Sequence, residues 1–169
     1  EYQQHAFDFI KRNVKADKPF FLYYCHSMLH LPTVPREEFK GKTGHGDFAD
    51  CLLEMDHDFG QLLDYLDELG VTDNTIVVFF GDNGAEESLP WRGTSGFFEG
   101  SYFTGMEGSL RSPCMIRWPG RVPVGRVSNE IVHITDMFTT IVKLGGCKIP
   151  TDRVIDGVDQ SPFFLGQQE

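Results

Sequence analysis

The stretch "TIVVFFGDNG", Thr75 to Gly84, drives a run of residues suited to burial straight into an aspartate and an asparagine bracketed by glycines. A short, continuous run of β-branched and aromatic residues reads as a strand covered on both faces, the kind found in parallel sheets with flanking helices. The carboxyl end of such a strand is where an α/β protein sets its working groups. Asp82 and Asn83 both offer oxygen, and Gly81 and Gly84 allow the chain to bend tightly around them. A carboxylate beside a carboxamide suits a hard cation such as calcium or magnesium. Asp-Asn-Gly is equally a turn sequence with local side-chain bonds, so the residues alone leave both readings standing.

Working upstream, Leu52, Met55, Phe59, Leu62 and Leu66 step by three and four, which predicts a helix from Asp47 to Leu69 ended by Gly70. Before it, "PFFLYYC", Pro19 to Cys25, predicts a short buried strand, so strand, helix and strand form a βαβ unit. The segment between, His26 to Gly46, is punctuated by Pro32, Pro35, Gly41, Gly44 and Gly46, and loops of that length in a compact domain are usually functional. Phe7, Ile10 and Val14 mark an amphipathic first helix ending near "KADKP". Downstream, Asn83 to Ser109 is too irregular for either period and reads as a second long functional loop. "PCMIRWPG" is a strand stopped by Pro119-Gly120, and a last helix runs from about Thr135 to Leu144. The predicted class is α/β, a mostly parallel sheet flanked by helices.

The 169 residues are 40% hydrophobic and 24% charged, the balance of a soluble globular protein with a single core. A formal net charge of -10, with Lys and Arg gathered nowhere, argues against a nucleic-acid partner. No apolar run approaches the length of a membrane span, so no membrane partner is expected. Cys25, Cys51, Cys114 and Cys147 lack any metal-ligand or redox spacing and read as buried free thiols. The opening "EYQQHAFDFI" has neither an initiator Met nor a leader pattern, and "SPFFLGQQE" carries no closing signal, so the sequence reads as a piece of a longer protein.

Four motifs in one order carry a resemblance across the whole chain: "PFFLYYCHSMLHLP", "DCLLEMDHDFGQLLDYLDELGVTDNTIVVFFGDNG", "EGSLRSPCMIRWPG" and "DGVDQSPFFLG". Their order and spacing resemble those of the type I, arylsulfatase-like sulfatases of the alkaline phosphatase superfamily. The resemblance implies an incomplete alkaline-phosphatase-like domain over residues 1–169, missing the nucleophile-bearing part upstream and a subdomain downstream. It implies a sulfuric ester hydrolase acting on a small-molecule or glycan sulfate ester, with the rest of the same polypeptide as partner and the isolated segment inactive. Calcium, in preference to magnesium, is implied at Asp82 and Asn83. His30 falls on the family's sulfate-contacting histidine, which protonates or hydrogen-bonds the leaving oxygen; His26 is close enough in sequence to compete. On this reading the imidazole and the strand-end oxygens face one spot.

The family's formylglycine arises from a Cys/Ser-x-Pro-x-Arg run. "SLPWR", Ser88 to Arg92, fits that pattern but follows the Asp-Asn-Gly turn and precedes Gly93 and Gly96, where a helix is costly. The formylglycine is therefore expected upstream. Where the family places a sulfate-binding Lys, five residues before the Glu of "EGSLR", this chain has Tyr102, which can hydrogen-bond an anion but not neutralise it. Arg92 is the candidate to take over that charge. Two other readings remain: a phosphate or phosphonate ester hydrolase of the same superfamily, against which Asn83 in place of a His argues, and an inactive binding relative, which Tyr102 keeps open. Asp56-His57-Asp58 reads as a solvated helix face. Asp152 to Gln160 lacks the twelfth-position acid of a calcium loop. Glu107 and Arg111 can pair with each other. Phe97, Phe98, Tyr102 and Phe103 read as core filling in preference to a substrate pocket.

Overall fold

The computed structural model describes residues 2–87 and 93–168. It divides into two compact units, residues 1–75 with 83–112, and residues 76–82 with 113–169.

In the first unit, helix α1 (Tyr2–Lys15) buries Ala6 and Ile10. It packs on α2 (Asp47–Glu68) through a Phe7–Tyr65 ring stack with centroids 4.5 Å apart, and the Gln3 amide donates to the Asp58 carbonyl at 2.9 Å. The start of α2 lacks a capping side chain at Gly46, and its first turn is tied down from within. The buried Asp50 carboxylate accepts the Gly41 N–H at 2.6 Å, the Thr43 N–H at 2.9 Å and the Thr43 hydroxyl at 2.7 Å. The Thr43 hydroxyl bond, with these amides, holds the Asp50 carboxyl below the usual carboxylate range. At the other end Gly70, at φ 67, lets the Val71 and Gly70 amides reach back to the Leu66 and Asp67 carbonyls, closing the helix where the sequence places its end.

The buried face of α2 differs from the expected one. Of the stepped apolar residues only Leu66 is buried, and Leu52 is 46% exposed; Asp50, Cys51, Glu54 and Asp58 occupy the inner face instead. Asp58 is thus not part of a solvated Asp56-His57-Asp58 face, although Asp56 and His57 are exposed. Burial is tolerated because each of these carboxylates is hydrogen-bonded or ion-paired. Pro19 to Cys25 also departs from expectation: it forms no ladder, and Phe21, Tyr23 and Cys25 are exposed while Phe20, Leu22 and Tyr24 are half-buried. The alternation is that of an extended chain, but a strand needs a hydrogen-bonded neighbour, so no βαβ unit is formed among the described residues.

In the second unit, β1 (Val77–Phe80) pairs with β2 (Cys114–Arg117), Val77 opposite Arg117 and Phe80 opposite Cys114. The pairing is antiparallel rather than parallel. A parallel pair needs a helical crossover, and among the described residues linking these strands the only helix is the single turn α3 (Glu107–Leu110). Helix α4 (Ile134–Leu144) starts with a capping box in which the His133 N–H donates to Asp136 Oδ2 at 2.9 Å. Asp136 also accepts the Val158 N–H at 2.8 Å, the Thr139 hydroxyl donates to the Gly157 carbonyl at 2.9 Å, and the Gln160 N–H donates to Thr140 Oγ1 at 2.9 Å. These bonds pin residues 157–160 along α4. A Cβ on Gly157 would land on the Thr135 carbonyl, so glycine is required there. Burial pushes the Asp136 carboxyl up, but the Val158 and His133 amides outweigh it and leave it below its ordinary range. The Asp152 to Gln160 stretch is therefore scaffold, closing on the short helix α5 (Ser161–Phe164).

Of the four thiols only Cys51 is buried; Cys25, Cys114 and Cys147 are exposed, against expectation. Cys25 ends the outward face of the extended segment, Cys114 opens β2, and Cys147 lies in the chain beyond the end of α4. Among the described residues no helix is long and apolar enough to cross a membrane.

Asp159 closes the second unit by accepting from Lys143 at 2.8 Å and from the Ser161 hydroxyl, which lowers its pKa to about 2. A carboxyl depressed below its unfolded value, about 3.9, contributes stability that is present above that value and lost as the pH falls towards 2. Asp159→Asn is expected to lower the melting temperature at pH 7 and to flatten its fall between pH 4 and 2, measured by circular dichroism. An acid limb identical to that of the unsubstituted protein contradicts this assignment.

Candidate functional site

His30 is exposed on the loop that precedes α2, and its Nδ1 lies 2.8 Å from the Leu31 carbonyl oxygen. A carbonyl only accepts, so Nδ1 carries the proton and Nε2 is the free nitrogen. The backbone around it is unusual. Leu29 sits at φ 72 and the Leu31–Pro32 bond is cis. A left-handed conformation costs a leucine about 1–2 kcal/mol. Residues Ser27 to Val34, with Cys51, line a cleft of about 470 Å³, and the Thr33 hydroxyl is buried there without a hydrogen-bond partner among the described residues.

Both flanks of this loop are fastened to α2. On the near side His26 Nδ1 accepts the Met28 N–H at 3.2 Å, which places its proton on Nε2, 3.6 Å from Asp58 Oδ2. On the far side the Glu54 carboxylate takes both the Arg36 N–H and the Arg36 Nε at 2.7 Å, and Arg36 Nη2 reaches Asp58 Oδ1 at 2.5 Å. Arg36 also lies 5.0 Å over the Phe39 ring and 3.2 Å from Glu38. Burial alone pulls the guanidinium pKa down; Asp58, Glu54 and Glu38 outweigh that and raise it. Burial, and then the Asp58 charge, push the Tyr24 phenol up. The His26 ring is thus engaged on both sides, by the Met28 amide and by Asp58. Arg36, Glu54 and Asp58 were missed in the sequence; the available signal was Asp50, Glu54 and Asp58 recurring every four residues on one helix face.

Asp82 and Asn83 fall in different units. Asp82 is exposed, and among the described residues its carboxylate has no hydrogen bond or ion pair. Asn83 donates Nδ2 to the Gly84 carbonyl at 2.9 Å, leaving Oδ1 over; the amide orientation is assigned from that bond. A free carboxylate and a free carboxamide oxygen match the donors a hard cation takes, but calcium needs six to eight oxygens. Among the described residues no group of three or more His, Cys, Asp or Glu could hold a metal. Each residue taken by itself supplies only one or two of the oxygens such an ion takes.

Within the first unit, Tyr102 is brought to the turn that Asn83 opens. Its N–H donates to the Ala85 carbonyl at 2.9 Å, and the Gly84 N–H donates to the Ser109 carbonyl at 2.7 Å. This is a crossing of bare backbone: a Cβ on Gly84 would land on the Gly108 carbonyl, and one on Gly108 on the Gly100 carbonyl. The Tyr102 ring lies against Phe103, tilted by 38° with centroids 4.0 Å apart. Phe97, Phe98 and Phe103 are exposed rather than core-filling, since this glycine-rich stretch packs through its backbone. Arg111 Nε pairs with Glu107 at 2.7 Å, as the four-residue spacing anticipates. Arg92 and Ser88 lie outside the described residues.

A model of the family described as Sulfatase matches residues 1–147. The chain is 43% identical to the dog N-acetylgalactosamine-6-sulfatase over 169 residues, covering 99% of this chain and 32% of that protein. It is 39% identical to the rat steryl-sulfatase, covering 95% of this chain and 29% of that protein. Among solved structures, the PsFucS1 sulfatase from Pseudoalteromonas sp. superposes with a TM-score of 0.86 at 31% identity, over 96% of this chain and 33% of that one. The chain spans about a third of the length of the curated relatives it matches. The superposition shows the expected fold class, an incomplete alkaline-phosphatase-like α/β segment.

The backbone crossing gives a direct test. Gly84→Ala and Gly108→Ala are each expected to destabilise the protein by about 1–3 kcal/mol or more. Gly105→Ala, whose Cβ would meet nothing within 4 Å, should stay within about 0.5 kcal/mol of the parent. Urea unfolding of the three variants reads this, and equal stabilities would contradict the crossing.

Proposed function

Since this chain belongs to the sulfatase family, we propose that residues 1–169 are part of the catalytic domain of a sulfuric ester hydrolase, the rest of that domain lying in the same polypeptide. The single observation that carries the reading is the fixed tautomer of His30, whose Nδ1 is engaged by the Leu31 carbonyl. Nε2 is then the one nitrogen available to a substrate. When protonated it donates to the ester oxygen as the S–O bond breaks, so that the alcohol departs neutral rather than as an alkoxide. Asp82 and Asn83 would each offer oxygen to a calcium ion, with further ligands from parts of the same polypeptide beyond residues 1–169. Bound there, calcium would offset the negative charge of the sulfate group. Tyr102 hydrogen-bonds the sulfate in place of a cation, and Arg92 supplies the positive charge that a phenol cannot. The formylglycine nucleophile belongs to the upstream part.

The substrate is a small-molecule or glycan sulfate ester. The names of the relatives support this breadth, one being a sulfatase of an amino sugar and another of a sterol. The matches favour neither a phosphate-ester hydrolase nor a binding-only relative.

The test uses the complete polypeptide with 4-methylumbelliferyl sulfate and the matching phosphate. Turnover of the sulfate is expected to exceed that of the phosphate by about 100-fold or more, to vanish with a calcium chelator and to return with calcium. His30→Ala should lower kcat by about 100-fold or more, and Asp82→Ala should weaken calcium binding measured by calorimetry. Preferred turnover of the phosphate, or undiminished turnover by His30→Ala, would overturn the reading.

A further inference from the structure

The loop that carries His30 contains a strained residue, yet it has no secondary structure of its own to hold it. Leu29, adjacent to the imidazole, is at φ 72, a region a leucine occupies only when its surroundings over-determine it. Those surroundings are visible. The chain enters the loop at His26, whose ring lies between the Met28 amide and Asp58, and leaves it at Arg36, whose amide and guanidinium grip Glu54 and Asp58. Glu54 and Asp58 are one turn apart on α2 and buried, at 1% and 8% exposure. One rigid helix therefore fixes both ends of an eleven-residue span centred near His30.

We propose that Arg36, bridging Glu54 and Asp58 of α2, is the positioning residue for His30: it holds the loop in the strained form that presents Nε2 to the sulfate ester. The proposal rests on the reading of His30 given above. Arg36 does not touch substrate, and it acts only through the geometry of the imidazole. The fork of a guanidinium is needed because two carboxylates on successive turns must be met at once. A lysine in its place keeps the charge but offers a single nitrogen. The ends of the loop then part, Leu29 relaxes, and the imidazole loses its register with the ester.

A double-mutant cycle in the complete polypeptide, assayed with 4-methylumbelliferyl sulfate, tests this. Arg36→Ala is expected to lower kcat about 10- to 100-fold, the cost of a misplaced catalytic group, while KM changes by less than about threefold. In a His30→Ala background the same substitution should cost less than about threefold more, because there is no imidazole left to misplace. Arg36→Lys covers the case in which Arg36→Ala does not fold: it should melt close to the parent and still lose about tenfold in kcat. Losses that multiply across the cycle, or a fully active Arg36→Lys, would overturn the positioning role alone. A fully active His30→Ala would overturn the role of His30 and this proposal with it.

Discussion

One guanidinium between two buried carboxylates governs the first unit. Glu54 and Asp58 face inward on α2, where unpaired charges cost several kcal/mol each. Arg36 satisfies both with hydrogen bonds of 2.5 to 2.7 Å and adds its own backbone amide to Glu54. The arrangement does more than neutralise charge. It ties a loop with no ladder or helix of its own among the described residues to α2, the longest helix described, and the loop carries the imidazole. Asp50, one turn earlier, does the same for the Gly41 to Thr43 end of the loop. Three carboxylates on one helix face thus replace the apolar packing that usually anchors a loop.

The second loop solves the same problem by other means. Between Asn83 and Ser109 the chain crosses itself at Gly84, Gly100 and Gly108, where carbonyl oxygens occupy the space a side chain would take. That crossing leaves Phe97, Phe98 and Phe103 outside and sets Tyr102 beside the turn that begins at Asn83. Backbone contact is stiff because little can relax within it. Among the described residues one loop is therefore fastened through charge and the other through close backbone contacts at glycines.

Much of this was legible in the sequence. Helices α1 and α2 follow from stepped apolar residues, Gly70 ends α2 where turn chemistry demands, and the last helix falls within about a residue of its expected bounds, whereas its His133–Asp136 capping box was not read. The strand at Val77–Phe80 and the candidate residues at its end came from an abrupt change of polarity, which is a local signal. Two things were not legible. Pairing direction depends on which strand lies alongside, and that is a long-range property; "PFFLYYC" has the composition of a strand and no ladder here. The inner face of α2 was misassigned because hydrophobic periodicity presumes that burial follows apolarity. Leu52 lies outward while Asp58 lies inward, a choice made by Arg36 from a different part of the chain. The reading of His30 rests on the order of motifs around it, since a lone histidine in a loop carries no periodic signal.

The central proposal is that His30 Nε2 faces the sulfate ester in the complete protein. A crystal structure of that protein grown with sulfate tests it most directly. The account predicts a sulfate oxygen within about 3 Å of His30 Nε2. A sulfate seated away from His30 would contradict it.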